Sequence, residues 1–261
     1  MKALSIAATG MLAQQMNVEV ISNNLANMNT TGYKRQRVEF QDLLYQNIKR
    51  VGAASSDTGT VVPSGIQIGV GVMQGSVYRI SEQGNLTITG NLYDIAVNGQ
   101  GYFRVLMPDG TDAYSRAGSF QLSPTGQLVD QDGYEIQPGI SIPPEAIDVT
   151  INPQGEVMVK LAGQVDFQNV GRLELTSFPN PAGLEAIGDN LLVETPSSGQ
   201  PTVGVPGDPG FGTVMQGFLE TSNVNAVSEI TSLITAQRAY EMNSKVISAA
   251  DEMLSVTSQL R

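Results

Sequence analysis

The amino-acid sequence predicts an α+β protein whose N- and C-terminal helices pair as a coiled coil, with a central antiparallel β domain between them in sequence. Three observations carry this expectation. Apolar residues recur at helical spacing near each end of the chain, and the stretch between them breaks into short runs of aromatic and branched residues. Those runs are separated by Pro, Gly, Asp and Asn, the residues that turns select.

The N-terminal stripe comprises Leu4, Ala7, Met11, Val18, Ile21 and Leu25, and Gly10 and Gln14 interrupt it. A mid-helix glycine costs about 1 kcal/mol relative to alanine, so this helix needs packing to persist. Its natural partner is the other end of the chain. Asn23, Asn24, Asn27 and Asn29 follow, with Gly32 as a nearby stop. Asn tolerates the left-handed region, so these residues read as caps and turns, or as amides that bridge copies of the chain.

Residues 31–70 read as a connector holding the only basic cluster, Lys34, Arg35 and Arg37 with Lys49 and Arg50. The cluster is either a solvated face or a contact for the acidic face of a neighbouring subunit. Within the connector, residues 51–65 are small, polar and rich in Gly, Ser and Thr, and read as a loop. Residues 71–222 read as the β domain. Turn signals fall at Pro108-Asp109-Gly110, Pro124-Thr125-Gly126, Asp132-Gly133 and Pro153-Gln154-Gly155. Asp130-Gln131-Asp132-Gly133 resembles part of a calcium loop but lacks the later ligands, so it reads as a hairpin turn. Gly69-Val70-Gly71 and Gly99-Gln100-Gly101 lack the spacing of a phosphate loop and read as turns beside strands. Tyr102 and Phe103 read as β-domain core, and the Pro- and Gly-dense residues 195–212 as a second loop.

The C-terminal helix opens at Asn225, a suitable N-cap, with Glu229 in its first turn. One stripe comprises Ala239, Met242, Val246, Ala249, Met253, Val256 and Leu260, and a second, Leu233, Tyr240, Ile247 and Leu254, recurs every seven residues beside it. Two adjacent stripes form a face too wide for one partner helix. It must be covered by its own chain and by further copies. The terminal helical domain is thus expected over 1–30 and 223–261.

Composition restricts the chemistry. The 261 residues contain no His, Cys or Trp, which excludes Ser-His-Asp and Cys-His catalysis, thiolate or imidazole metal sites, and disulfides. Carboxylate chemistry remains, but no acidic pair can be set face to face from the sequence, and no cofactor is expected. The net charge is −11. Residues 51–219 carry seventeen Asp or Glu against five Lys or Arg, so the middle of the chain holds the acidity and is expected to be well solvated. That balance argues against nucleic acid, which needs a basic face. No stretch approaches the ~20 apolar residues of a membrane span, and no charged lead, apolar core and cleavage site mark a signal peptide.

At this point four motifs, in order, carry a resemblance: Ser22-Asn23-Asn24-Leu25-Ala26-Asn27 with Thr31-Gly32-Tyr33-Lys34; Asp94-Ile95-Ala96-Val97 with Gly99-Gln100-Gly101-Tyr102-Phe103; Tyr114-Ser115-Arg116-Ala117-Gly118-Ser119-Phe120; and Glu220-Thr221-Ser222-Asn223-Val224-Asn225 with Gln237-Arg238-Ala239-Tyr240-Glu241. Together they span essentially the whole chain and are similar to the signatures of the bacterial flagellar rod and hook axial family. The tract Asp42-Leu43-Leu44-Tyr45-Gln46 with Pro63-Ser64-Gly65-Ile66-Gln67-Ile68-Gly69 looks most like the distal-rod members, with proximal-rod and hook members as rivals. The resemblance implies a non-enzymatic subunit that polymerises helically, terminal helices inside and β domain outside, into a drive shaft crossing the periplasm. It implies other rod proteins and the hook protein at the ends, ring proteins around the shaft, and export through the flagellar type III apparatus. A carboxylate-dependent cell-wall hydrolase is the alternative of another class. Subunit contacts are expected at Leu4, Met11, Val18, Leu25, Asn23, Asn24, Asn27, Lys34, Arg35, Arg37, Leu233, Tyr240, Val246, Ile247, Met253 and Leu254.

Overall fold

The computed structural model describes residues 2–49, 65–164 and 166–259. The polar loop expected over 51–65 therefore lies outside the described residues apart from Gly65, as do Arg50 and Leu260. The chain is α+β, with an N-terminal helix, a C-terminal helix and a β-rich region between them in sequence. It divides into two compact units, one of residues 1–25, 36–78 and 225–261, the other of residues 26–35 and 79–224.

The first unit contains both helices, α1 over Lys2–Ala26 and α2 over Ala226–Gln259. The Asn225 side chain accepts from the Ser228 N–H at 3.2 Å, the N-cap that the sequence predicts. The unit also contains the strand Gln36–Asp42 paired with Val72–Arg79, and a second ladder of Tyr45–Lys49 with Ile66–Gly69. Residues expected to form a connector thus supply three of these four strands, and Val72–Arg79 falls in the stretch expected as the β domain. Val38 and Phe40, and Ile66 and Ile68, alternate with polar residues over short runs, yet Phe40, Leu44, Tyr45, Ile48, Ile66, Ile68, Met73 and Val77 all face solvent in the isolated chain.

The second unit is an antiparallel β body. Its largest sheet has seven strands in the order Glu185–Gly188, Leu191–Val193, Asp112–Ser115, Phe103–Leu106, Glu135–Ile136, Leu128–Val129 and Gln121–Leu122. A three-stranded sheet comprises Ala146–Ile151, Glu156–Leu161 and Gln168–Arg172. Shorter ladders pair Ile95–Asn98 with Thr213–Gln216, Leu86–Ile88 with Phe218–Glu220, and Leu175–Ser177 with Thr202–Gly204. The four predicted turns close with N–H donors at Gly110, Gly126, Gly133 and Gly155 reaching the carbonyls of Met107, Ser123, Asp130 and Asn152 at 2.8–3.0 Å. The Asp130 segment is the expected hairpin turn.

Ile95, Val97, Phe103, Phe120, Leu128 and Ile136 belong to one buried cluster. The Phe103 and Phe120 rings meet edge to face at 4.9 Å and 85°. Tyr102 and Phe103 are both core, as the sequence indicates. Gly118 is fixed by close approach: its carbonyl accepts from the Ile95 N–H at 2.9 Å, and a Cβ there would overlap the Ile95 carbonyl.

Candidate functional site

Two features offer functional chemistry, one in each unit. In the first unit α1 and α2 meet at two polar layers. Asn24 donates through Nδ2 to the buried Glu229 carboxylate at 3.2 Å. At Gly10 the helices come so close that a Cβ would lie 2.8 Å from Asn243 Nδ2. Gly10 and Asn24 on α1 and Asn243 and Glu229 on α2 are each fourteen residues apart and run in opposite directions, so at these two contacts the helices lie antiparallel. On α2 the inward positions Glu229, Ala236, Asn243 and Ala250 are small or polar and recur every seven residues.

This arrangement leaves the apolar stripes of α2 outside the seam. Met242 and Met253 are 60% and 64% exposed, and Val246, Val256, Tyr240 and Leu254 are also exposed. Leu233 and Ile247 are half-buried. On α1, Leu4, Met11, Val18 and Leu25 are half-buried, whereas Ala7, Ala13, Ile21 and Asn24 are buried. The stripe found by apolar periodicity thus marks what the isolated chain leaves uncovered on α2. A contiguous apolar surface of this kind is the signature of an interaction face.

The Asn-rich segment divides by role. Asn24 pairs with the Gln36 backbone in both directions, donating to its carbonyl and accepting from its N–H, each at 2.8 Å. The amide acts as one further peptide unit on the strand that starts at Gln36. Asn27 accepts from the Thr30 N–H and hydroxyl, both at 3.1 Å, closing a turn. Asn23 is exposed.

The basic cluster also divides. Lys34 is engaged within the second unit, donating to Glu220 at 2.6 Å and to the Glu82 carbonyl at 2.8 Å, with its side chain 9% exposed. The Arg35 N–H donates to the Asn223 side chain at 2.7 Å, and Asn223 in turn donates to the Ile80 and Glu82 carbonyls. Arg37 is exposed.

Glu220 is the centre of the second feature, which the sequence did not reveal as a site. Arg116 donates through Nε to Glu220 at 2.6 Å, and through its other nitrogens to the carbonyls of Val97, Gly99 and Gly101. The Gly84 N–H donates to the same carboxylate at 2.9 Å. The Gly32 N–H donates to the Glu220 carbonyl at 2.8 Å with φ +69, and a Cβ there would meet the Arg116–Ala117 backbone, so glycine is required on both counts. Burial pushes the Glu220 carboxyl up, but the charges and hydrogen bonds of Arg116 and Lys34 outweigh it and hold the group below the usual carboxylate range. Burial lowers the Lys34 ammonium, and this effect exceeds the support from Glu220. Two cations share one carboxylate here. The signal available in the sequence was a charged residue inside each turn-flanked motif, at positions where a solvated loop has no need of one.

Asp130, Asp132 and Asp189 line a third, acidic recess. Asp130 is raised by burial and by the neighbouring carboxylates, and its own carboxylate accepts from the Gln131 N–H at 2.7 Å. Among the described residues no group of three His, Cys, Asp or Glu is placed to hold a metal ion, and no helix is long and apolar enough to cross a membrane.

Three family models match the chain. Residues 4–34 match the flagella basal body rod protein model, residues 96–159 the flagellar hook protein FlgE/F/G D1 domain, and residues 215–260 the flagellar basal body rod FlgEFG protein C-terminal model. The flagellar basal-body rod protein FlgG of Caulobacter vibrioides is 61% identical over the full length of both chains. Its counterpart in Agrobacterium fabrum is 54% identical over 99% of each chain. The FlgG protein of Bacillus subtilis is 39% identical over 97% of each. This chain belongs to the FlgG family of flagellar basal-body rod proteins. It is a structural subunit of the distal rod and not an enzyme, which removes the cell-wall hydrolase alternative. The three FlgG-family segments each deliver one member of the buried triad: Lys34 lies in the first, Arg116 in the second and Glu220 in the third.

Proposed function

We propose that the subunit polymerises as an open helical lattice in which the exposed apolar face of α2 packs against terminal helices of other copies, forming a coiled-coil tube. The observation that carries this reading is the uncovered stripe of Tyr240, Met242, Val246, Met253, Leu254 and Val256 on a chain of a rod family. An interface that does not close on itself generates a filament, and such a filament transmits torque as a shaft from motor to hook. Residues 1–30 and 223–261 supply the inner tube, 71–222 the outer body, and 31–70 the join. The acidity of residues 51–219 suits a body that turns among neighbours without adhering. The place of action is the basal body, along the stretch that crosses the periplasm and outer envelope. The partners are other rod proteins and the hook protein at the ends, ring proteins around the shaft, and the flagellar type III export apparatus. Negative-stain imaging of the concentrated chain tests this: straight filaments of uniform diameter are expected, and a chain that stays monomeric or forms closed rings overturns the reading.

A further inference from the structure

The buried triad sits beside a cavity, and its charges do not balance. A cavity of about 190 Å³ is bordered by Lys34, Arg116, the turn Gly99-Gln100-Gly101 and Tyr102, all within the β unit. The side chains of Lys34 and Arg116 are 9% and 7% exposed, and Glu220 is the carboxylate they share. Lys34 uses two of its three donors, on Glu220 and the Glu82 carbonyl, and Arg116 uses four of its five. Each therefore retains one N–H among the described residues.

A buried positive charge without a full counterpart is unfavourable, and an anion that completes it is bound correspondingly well. Within the triad the cations exceed the carboxylate by one charge and the remaining donors are two, which matches the two oxygens of a carboxylate. A phosphate dianion would overcompensate and leave oxygens without donors. At roughly 30 Å³ per water-sized group, the cavity has room for a carboxylate and its adjoining methylene. Burial lowers the Lys34 ammonium despite its bond to Glu220, and a second anion beside it would restore the charged form.

We propose that this cavity binds one carboxylate, bridged between Lys34 Nζ and Arg116 Nη1, supplied as a free small carboxylate or by an acidic side chain of another copy. Another copy is a ready source, because residues 51–219 carry seventeen Asp or Glu. The binding step rests on the β unit alone, and only the choice of source rests on polymerisation.

The test is titration of the dilute, monomeric full-length chain with sodium acetate, against sodium chloride at matched ionic strength, read by amide NMR shifts. Saturable shifts at Gly99, Gln100, Gly101 and Arg116 are expected with acetate and not with chloride. Lys34→Met should weaken acetate binding about tenfold, the loss of one charge-assisted hydrogen bond. Gln100→Glu, at an exposed lining position, places a carboxylate at the cavity; it should raise the melting temperature and abolish the acetate response. Absence of saturable acetate shifts, or shifts unchanged in Gln100→Glu, overturns the proposal. Saturating acetate added to an assembling sample then assigns the source: slowed assembly identifies a side chain of another copy, and unchanged assembly with saturable binding identifies a free carboxylate.

Discussion

The two units of this chain use opposite interiors. The helices meet at Gly10 against Asn243 and at Asn24 against Glu229, small or polar groups, while Tyr240, Met242, Val246, Met253, Leu254 and Val256 on α2 stay exposed. The β body does the reverse, sealing Ile95, Val97, Phe103 and Phe120 inside together with the buried Lys34–Arg116–Glu220 cluster. Small, polar seams give register and orientation with little burial, and apolar cores give stability with little choice of partner. The difference teaches that the helix pair leaves its apolar stripes on α2 exposed in the isolated chain, whereas the β body encloses its own.

The sharpest way to break that comparison is Ile247→Asp. Ile247 is half-buried between Tyr240 and Leu254 along one stripe and next to exposed Val246 on the other. An unpaired carboxylate buried there in every copy costs several kcal/mol per subunit, so filaments should be absent from electron micrographs and motility lost. The melting of the β body should move by about 0.5 kcal/mol or less. If the whole chain unfolds instead, the helix pair is a core in its own right.

Arg116→Met tests the other side. It leaves the Gly99, Gly101 and Val97 carbonyls without their donor and removes a cation from Glu220. Breaking a buried pair costs about 3–5 kcal/mol, on the order of 10 °C in melting temperature for a domain of this size. Calorimetry should show this loss in the β body with the helices' exchange rates unchanged. Glu220→Gln adds a pH arm. The folded carboxyl lies below its ordinary value of 4.5, so its stabilisation is present above that pH and is lost as pH falls through the lower folded value. The melting difference between wild type and Glu220→Gln should therefore be full at neutral pH and shrink in acid; a constant difference would show that charge is not what the site contributes.

A smaller effect separates the basic residues. Arg37 is exposed whereas Lys34 is engaged internally, so Arg37→Ser should weaken assembly at low salt and matter little at 0.1 M and above, where screening sets in within about 10 Å. Light scattering across salt concentrations reads this directly. The smallest effect is expected for Gly10→Ala. A Cβ there meets only the flexible end of Asn243, and the helix gains up to about 1 kcal/mol of propensity, so exchange protection of α1 should rise slightly or stay level. A large loss would mean that the close approach is rigid.

Much of this was legible in the sequence because local chemistry decided it. Asn225 capped α2 as its side chain requires, and each Gly-closed turn formed where Pro or Asp had marked it. The strands of residues 36–49 and 66–69 were read as a connector, because their alternation, Val38 with Phe40 and Ile66 with Ile68, runs for only two apolar positions each. The helix seam was missed because apolar periodicity cannot detect Glu229 and Asn243 as inward positions. The Glu220 hub was hidden for a different reason: its members lie far apart in sequence, and only the fold brings them together.

That separation has a consequence in time. Lys34 and Glu220 are 186 residues apart, and Arg116 lies between them. A chain that emerges N-terminus first produces both cations long before the carboxylate that joins them. The β body therefore has a clasp whose last piece arrives late, on the final short strand Phe218–Glu220 before α2. Contacts of such long range slow folding, since the loop must close before the pairing rewards it. An emerging chain stays pliable until its end is in hand, and then shuts around Glu220.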